Sequence, residues 1–199
     1  MGKGFSSTVY KTSPITKPKE KYAIKVIDLT NYDNIELLEM EIETLLKIKH
    51  PNIIQCLDII KTSKIYYLVM EYCPHGDLEE LIRFQKFIPE DRAILIMKQI
   101  LEGYKALAAK NIIHRDLKPA NVMRFGNKWK IGDFGFARYC KEEFLLEKIH
   151  VGTPLYLPLE CLTLNKYSFK SDVFSLGVIY YEMLFGNTPW PAPTVEELI

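Results

Sequence analysis

The sequence predicts an α+β protein in which a small sheet precedes a mainly helical region. Strand-like apolar runs lie at 22–27, 53–58 and 65–70, in the first part of the chain. Apolar residues at helical spacing dominate the later part, at 89–109 and at 173–185. Strand patterns therefore come first and helical patterns follow.

The composition is that of an ordinary globular protein. Its 199 residues are 48% hydrophobic and carry a formal net charge of +1, with both signs interspersed. This near-zero charge argues against binding of nucleic acid or of a membrane surface by bulk electrostatics. The four cysteines lie far apart without metal-ligand spacing, which indicates reduced thiols and predicts a cytoplasmic or nuclear protein. No signal peptide or transmembrane segment is expected.

Two glycines, Gly2 and Gly4, open the chain and are followed by Ser7 and Val9. Glycine lets backbone amides approach phosphate oxygens without obstruction by a side chain. Taken alone, this segment is equally compatible with an unstructured terminus. A phosphate-binding interpretation depends on the residues that follow.

A single cation, Lys25, lies inside the strand at 22–27. A buried lysine needs an acidic or phosphate partner, because burying it unpaired is costly. The alternative is an edge-strand lysine whose ammonium reaches water. The helical pattern at 35–49 supplies four acids, most of which should be solvated: Glu36, Glu39, Glu41 and Glu43.

Strand character ends near residue 70. The strands at 53–58 and 65–70 are joined by a polar turn, and proline and glycine then appear at 71–76, as expected of a linker. Asp77 offers a plausible N-cap for the helix that follows. The helical pattern at 89–109 has six apolar residues on one side, which we expect in the core: Ile94, Met97, Ile100, Leu101, Tyr104 and Leu107.

A small hairpin is predicted at 122–131, since two short apolar runs flank the turn signal Gly126-Asn127. Polar residues cluster just outside both of its ends. In the last part of the chain, the apolar run at 173–185 predicts a buried helix ended by Gly186.

Three oxygen-bearing side chains flank this hairpin, Asp116 and Asn121 before it and Asp133 after it. A hairpin that brings them together offers two carboxylates and a carboxamide to a divalent cation and a hydroxyl. Hard oxygen ligands of this kind suit Mg²⁺, which usually keeps waters and shares substrate phosphates. The alternative for each acid is a solvated loop residue.

Two motifs in this stretch resemble those of eukaryotic protein kinases. The sequence HRDLKPAN at 114–121 is similar to the catalytic loop of that family, and DFG at 133–135 is similar to its metal-binding motif. The resemblance implies a bilobal α+β fold, with a small antiparallel-sheet N-lobe at 1–70, a hinge at 71–76 and a mainly helical C-lobe at 77–199. It also implies that the C-lobe is truncated and the domain incomplete at both ends.

The resemblance implies a catalytic role for four residues, Asp116, Lys118, Asn121 and Thr153, and metal binding by Asn121 and Asp133. Asp116 orients the acceptor hydroxyl and accepts its proton, and Lys118 neutralises charge on the transferring phosphate. Asn121 and Asp133 hold Mg²⁺, and Thr153 contacts Asp116. An internal apolar column is also implied, formed by His114, Phe134, Leu45 and Cys56, with a satisfied core histidine as the alternative for His114. Asp172 is expected to anchor the backbone of the catalytic loop, although it is also compatible with a plain acid at a helix N-terminus.

The family pattern also assigns a nucleotide site. Lys25 holds the α- and β-phosphates and Glu41 pairs with it, with Glu39 and Glu43 as alternative registers. Met70 controls the depth of the adenine pocket. The full set of residues implied for ATP binding is Gly2, Gly4, Val9, Ala23, Lys25, Glu41, Met70, Glu71, Cys73, Asp77 and Met123.

Several residues favour a serine/threonine kinase over a tyrosine kinase. Lys118 and Pro119 follow the catalytic aspartate, and Thr153 lies in a GTP sequence typical of the serine/threonine type. Phe136 resembles the residue of kinases that prefer serine to threonine.

The activation segment at 136–151 contains no serine or threonine. Arg115 precedes the catalytic aspartate, which is typical of kinases regulated by phosphorylation of this segment. We hypothesise that a glutamate of the segment, or no group at all, takes the place of the phosphate beside Arg115. The candidates are Glu142, Glu143 and Glu147.

The predicted function is ATP- and Mg²⁺-dependent phosphorylation of a protein serine or threonine, with a regulatory partner possible. Within the family, the sequence most resembles autophagy-initiating Unc-51-like kinases, with the calcium/calmodulin-dependent group as a near rival. The alternative is a pseudokinase or truncated interaction module, favoured by Ser7 in place of a third glycine and by the altered Pro158-Leu159. The segment 152–160 disfavours a small-molecule phosphotransferase.

Overall fold

A computed structural model of the chain describes residues 2–3, 7–31, 35–148, 150–192 and 194–199. Side chains at 2, 3, 7, 31, 36, 37, 40, 41, 44 and 45 are outside this description. Two residues assigned to the nucleotide site are affected, since Gly4 and the side chain of Glu41 lie outside the described residues.

Within the described residues, five strands form one antiparallel sheet in the order β1-β2-β3-β5-β4. One helix, α1, packs against it. The elements are β1 (Gly2–Lys3), β2 (Ser7–Thr12), β3 (Tyr22–Asp28), α1 (Ile35–Lys47), β4 (Cys56–Lys61) and β5 (Ile65–Glu71). The predicted small antiparallel sheet is therefore confirmed.

Side-chain burial alternates along β3, which explains how this sheet buries Lys25. Ala23, Lys25 and Ile27 are buried, whereas the residues between them are less so, as expected where successive side chains point to opposite faces. Ile27 packs with Leu38 and Ile42 of α1 in the same apolar cluster. Lys25 therefore lies on the covered face of a central strand, which excludes the edge-strand alternative.

The second part of the chain is mainly helical, as predicted. Its elements are α2 (Leu78–Gln85), α3 (Glu90–Ala108), β6 (Ile112–Ile113), β7 (Val122–Phe125), β8 (Lys128–Ile131), β9 (Arg138–Tyr139), β10 (Leu145–Leu146), α4 (Leu159–Leu164), β11 (Lys166–Tyr167), α5 (Phe169–Phe185) and α6 (Val195–Leu198). The short strands pair as β6–β9, β7–β8 and β10–β11. No helix within the described ranges is long and apolar enough to cross a membrane.

The strand expected at 53–58 begins later, at Cys56. Ile54 instead donates its backbone N–H to Ile131 of β8 at 2.8 Å, and Ile131 donates to the carbonyl of Asn52 at 2.9 Å. Asn52 and Ile54 therefore form backbone hydrogen bonds with the hairpin of the helical region instead of extending β4, and these bonds connect the two lobes.

Two core assignments on α3 are wrong. Ile94 and Leu101 are 37% and 38% exposed, because the buried stripe is centred on other residues of the helix and these two lie on its flank. Ala93 and Ile96 are buried in their place. The helix at 169–185 is likewise buried on one face only, and its Val173 is exposed.

Candidate functional site

The hairpin β7–β8 brings the two polar clusters together. Val122 pairs with Ile131 at its open end, and Gly132 donates its backbone N–H to the carbonyl of Asn121 at 2.8 Å. Asp133 follows with a φ of +52°, a left-handed conformation in which aspartate is enriched. The segments on either side of the hairpin therefore lie side by side, as the sequence predicted.

The carboxylate of Asp116 is held by three neighbours. Thr153 donates its hydroxyl to Oδ1 at 2.7 Å, and Asn121 donates its side-chain amide to Oδ2 at 3.0 Å. The ammonium of Lys118 lies 3.2 Å from Oδ2 and also donates to Thr153 at 2.7 Å. A buried carboxylate is thus oriented by two donors and one cation, and the expected contact between Thr153 and Asp116 is present.

A fully buried acid, Asp172, accepts hydrogen bonds from the backbone that precedes Asp116. Asp172 accepts the backbone N–H groups of His114 at 2.7 Å and of Arg115 at 2.9 Å. Burial raises the pKa of Asp172 above its ordinary value. These two bonds exclude a plain helix N-terminal acid and make Asp172 the anchor of the loop at 114–116.

His114 is a satisfied core residue that also supports the loop. Its Nδ1 accepts the backbone N–H of Asp116 at 3.3 Å, so Nε2 carries the hydrogen and donates it to the carbonyl of Gly132 at 2.9 Å. Its ring lies 5.3 Å from that of Phe134, as predicted for two members of an internal apolar column. His114 therefore connects the two motifs. The side chain of Leu45, another residue of the predicted column, lies outside the described residues.

Lys25 finds its acidic partner in Asp133. The ammonium lies 2.6 Å from Oδ1 of Asp133, with the lysine side chain 8% exposed. Burial raises the pKa of Asp133, and the ammonium outweighs this effect, so that pKa lies below its ordinary value. Gly135 accommodates the pair, since a Cβ at this position would lie 2.7 Å from the ammonium.

The donor set fits a magnesium ion that arrives with phosphates. Asn121 uses its amide nitrogen on Asp116, which leaves its carbonyl oxygen for a cation, and Asp133 offers a carboxylate. Within the described ranges no group of three or more His, Cys, Asp or Glu side chains forms a metal site. A cation held by one carboxylate, one carboxamide and substrate phosphates is the arrangement that Mg²⁺ favours.

The expected adenine residues lie on both sides of the junction between the lobes. Ala23 pairs with Met70 across β3 and β5, and Val9 pairs with Lys25 across β2 and β3. Met123 of β7 forms a bridge with Asp77. The residues expected around adenine therefore come from the N-terminal sheet, at Val9, Ala23 and Met70, and from the hairpin, at Met123.

The linker residues also have local structural roles. Asp77 caps α2, accepting the N–H of Glu80 at 2.8 Å in a capping box, so the predicted N-cap is confirmed. Glu71 accepts the N–H of Gln55 at 2.7 Å and the ammonium of Lys130 at 2.8 Å. Burial raises the pKa of Cys73 to about 11, so it is a thiol at neutral pH. The ion pair of Lys130 with Glu71 was not predicted from the sequence, because the two residues lie on different strands, 59 positions apart.

Arg115 is paired with a glutamate of the activation segment. Its side chain is 2% exposed and forms an ion pair with Glu147, and its Nε donates to the carbonyl of Phe136 at 2.5 Å. Of the three candidate glutamates, Glu142 and Glu143 are exposed. The first form of the hypothesis, in which a glutamate takes the phosphate position, agrees with this contact.

The activation segment is joined to the residues before α5. Leu145 pairs with Tyr167 in the β10–β11 pair, and Glu147 donates its N–H to the carbonyl of Asn165 at 3.1 Å. The ring of Tyr167 lies 5.4 Å from the guanidinium of Arg115. Sequence reasoning missed Tyr167, whose contacts come from distant parts of the chain.

Comparison with known proteins gives one family. The model of the protein kinase domain matches residues 1–198. The serine/threonine-protein kinase atg1 of Dictyostelium discoideum is 37% identical over 211 residues, which cover 100% of this chain and 31% of that protein. ATG1c of Arabidopsis thaliana is 40% identical over 183 residues, covering 89% and 25% respectively. Human ULK3 is 36% identical over 205 residues, covering 100% and 43%. The chain thus spans less than half the length of each of these relatives.

Proposed function

Because this chain belongs to the protein kinase family, we propose that it transfers the γ-phosphoryl group of ATP to a serine or threonine hydroxyl of a protein. The family match bears out the predicted fold, and the names of the relatives agree with the predicted Unc-51-like resemblance. The observation that carries the proposal is the oriented carboxylate of Asp116, held by Thr153, Lys118 and Asn121.

Asp116 is the catalytic base in this proposal. Its carboxylate receives the proton of the acceptor hydroxyl, and Lys118 stabilises the negative charge of the transferring group. Thr153 and Asn121 keep the carboxylate oriented. In phosphoryl transfer the protein supplies mainly positioning and electrostatic stabilisation. In this proposal the oriented carboxylate of Asp116 contributes to positioning, and the ammonium of Lys118 contributes electrostatic stabilisation.

The phosphates of ATP are proposed to lie between Lys25 and Asp133. Lys25 binds the α- and β-phosphates, whereas Asn121 and Asp133 hold Mg²⁺, which when bound neutralises phosphate charge. The remaining residues proposed for the nucleotide are Gly2, Gly4, Val9, Ala23, Glu41, Met70, Glu71, Cys73, Asp77 and Met123. The cross-strand pair of Ala23 with Met70 supports this arrangement.

The finer aspects of function are also proposals. Phe136 supports a preference for serine. The division into an N-lobe at 1–70, a hinge at 71–76 and a C-lobe from 77 agrees with the end of β5 at Glu71 and the start of α2 at Leu78. We further propose a cytoplasmic location, a protein substrate and a regulatory partner.

A transfer assay tests the proposed function. Wild type and Asp133→Ala are incubated with radiolabelled ATP, Mg²⁺ and a generic protein substrate. We expect wild type to label the substrate and the variant to lose this activity, because Asp133 is the carboxylate offered to the metal. Equal labelling by both proteins would contradict the proposal. Binding of Mg·ATP without transfer would contradict the kinase proposal and support the nucleotide-binding alternative.

We expect activity not to depend on phosphorylation of the activation segment, because Glu147 already supplies an anion to Arg115. Glu147→Ala leaves the buried guanidinium of Arg115 without this anion, and a hydrogen bond to a charged group contributes about 1.5–3 kcal/mol. We expect the melting temperature to fall by about 3–10 °C, together with a loss of transfer activity. Phosphatase treatment should leave the wild type active.

Glu143→Ala serves as the control, since it removes an exposed glutamate of the same segment. It should change neither stability nor activity. If Tyr139→Phe abolished activity while Glu147→Ala had no effect, phosphorylation of Tyr139 would be the better explanation.

A further inference from the structure

The hydroxyl of Tyr167 binds both polar backbone groups of one residue. It accepts the N–H of Val151 at 2.9 Å and donates to the carbonyl of Val151 at 2.9 Å. The tyrosine itself is 0% exposed. One buried oxygen atom thus satisfies both polar backbone groups of Val151, whose side chain also packs against the apolar cluster that contains Tyr167.

Val151 leads directly to the residue that contacts Asp116. Gly152, which follows it, has a φ of +96°, and a Cβ there would lie 2.4 Å from the carbonyl oxygen of Arg115. The chain therefore passes closely against the catalytic loop at this residue. Thr153 comes next and donates to Asp116 at 2.7 Å. Val151 therefore lies two residues before the hydroxyl that orients Asp116.

Tyr167 also contacts the activation segment. Its backbone pairs with Leu145, and its ring lies 5.4 Å from the guanidinium of Arg115, the partner of Glu147. One residue therefore touches the activation segment, the catalytic-loop arginine and the backbone that precedes Thr153.

We propose that Tyr167 is a positioning residue for phosphate transfer. Its hydroxyl holds Val151 so that the hydroxyl of Thr153 keeps the carboxylate of Asp116 oriented. This inference rests on the proposed function. Among the described residues, the side-chain hydrogen bonds and ring contact of Tyr167 do not reach Lys25, Asn121 or Asp133. Its effect therefore belongs to the transfer step and not to ATP binding.

Tyr167→Phe removes the one atom that carries this role and retains the buried ring. We expect kcat for a protein substrate to fall roughly tenfold, as for the loss of two ordinary hydrogen bonds, with the KM for ATP unchanged. Tyr66→Phe is the matched control, because Tyr66 is also buried, at 6% exposed, and its hydroxyl bonds to Glu39. Glu39 pairs with Lys61 and so lies away from the catalytic loop. It should leave kcat unchanged. An unchanged kcat in Tyr167→Phe would overturn the proposal.

A double-mutant cycle separates positioning from general loss of structure. Thr153→Val removes the hydroxyl through which Tyr167 is proposed to act. If the proposal holds, Tyr167→Phe lowers kcat in the wild type but causes little further loss in the Thr153→Val background. Independent, multiplicative losses would show that Tyr167 acts by another route and would overturn the proposal.

Amide hydrogen exchange keeps this test separate from that of the proposed function. Absence of transfer by wild type would contradict the function, but exchange at Val151 would still report on the hydroxyl. We expect Tyr167→Phe to exchange this amide at least tenfold faster than wild type, with no such change in Tyr66→Phe. Equal exchange in wild type and Tyr167→Phe would contradict the proposed hold on Val151.

Discussion

Replacing Asp116 by asparagine is expected to reduce transfer to a protein hydroxyl by about 10²–10⁴-fold, the usual contribution of a positioned acid or base. The substitution removes the group that receives the proton. It also places an amide beside Lys118 and Asn121, whose own donors point at the Oδ2 position. Affinity for Mg·ATP should change little, because Asp116 is not among the residues proposed for the phosphates.

The measurement is kcat with a protein substrate. The affinity for Mg·ATP is measured separately, by titration with a fluorescent nucleotide analogue. Asp58→Asn is the control, since Asp58 is an exposed acid on the N-lobe sheet. Its kcat should match that of the wild type. An Asp116→Asn variant that retains more than half of the wild-type kcat would rule out Asp116 as the base.

The second large effect is on stability, at Asp172. Asp172→Ala leaves the N–H groups of His114 and Arg115 buried without their acceptor. Each unsatisfied buried donor costs about 1–3 kcal/mol, so the free energy of unfolding should fall by about 2–6 kcal/mol. In a protein of this size that lowers the melting temperature by roughly 5–20 °C. Asp172→Asn keeps one acceptor oxygen and should lose less.

Asp91→Ala provides the comparison, measured by thermal unfolding under the same conditions. Asp91 is an exposed acid in the first turn of α3, where a favourable interaction with the helix dipole contributes about 0.3–1 kcal/mol. Were Asp172→Ala no more destabilising than Asp91→Ala, Asp172 would be an ordinary helix N-terminal acid and not the anchor of the catalytic loop.

The candidate site could be predicted from the sequence because its residues lie in short, contiguous motifs. Asp116, Asn121 and Asp133 flank one hairpin, so local pattern was enough to bring them together. The capping role of Asp77 followed equally from a local rule. In both cases a signal in the sequence marks the contact, namely the turn at Gly126-Asn127 for the hairpin and the N-cap position for Asp77.

The missed features depend on contacts between distant residues. The Tyr167 hydroxyl reaches Val151 across a gap of 16 residues, and Lys130 reaches Glu71 across 59. Nothing in either sequence neighbourhood indicates the partner. The late start of β4 has the same origin. Ile54 belongs to an apolar run that predicts a strand, but its backbone N–H bonds to Ile131 of the hairpin in the other lobe.

The ion pair between Lys25 and Asp133 has a thermodynamic consequence for the proposed ligands. A metal ion alone must displace the ammonium from Asp133, and a nucleotide alone must displace the carboxylate from Lys25. When both ligands bind, the metal contacts Asp133 and the nucleotide contacts Lys25. The free energy needed to separate the ion pair is then spent once for two ligands. We therefore expect positive coupling between the two binding equilibria, in which each ligand raises the affinity for the other by the same factor.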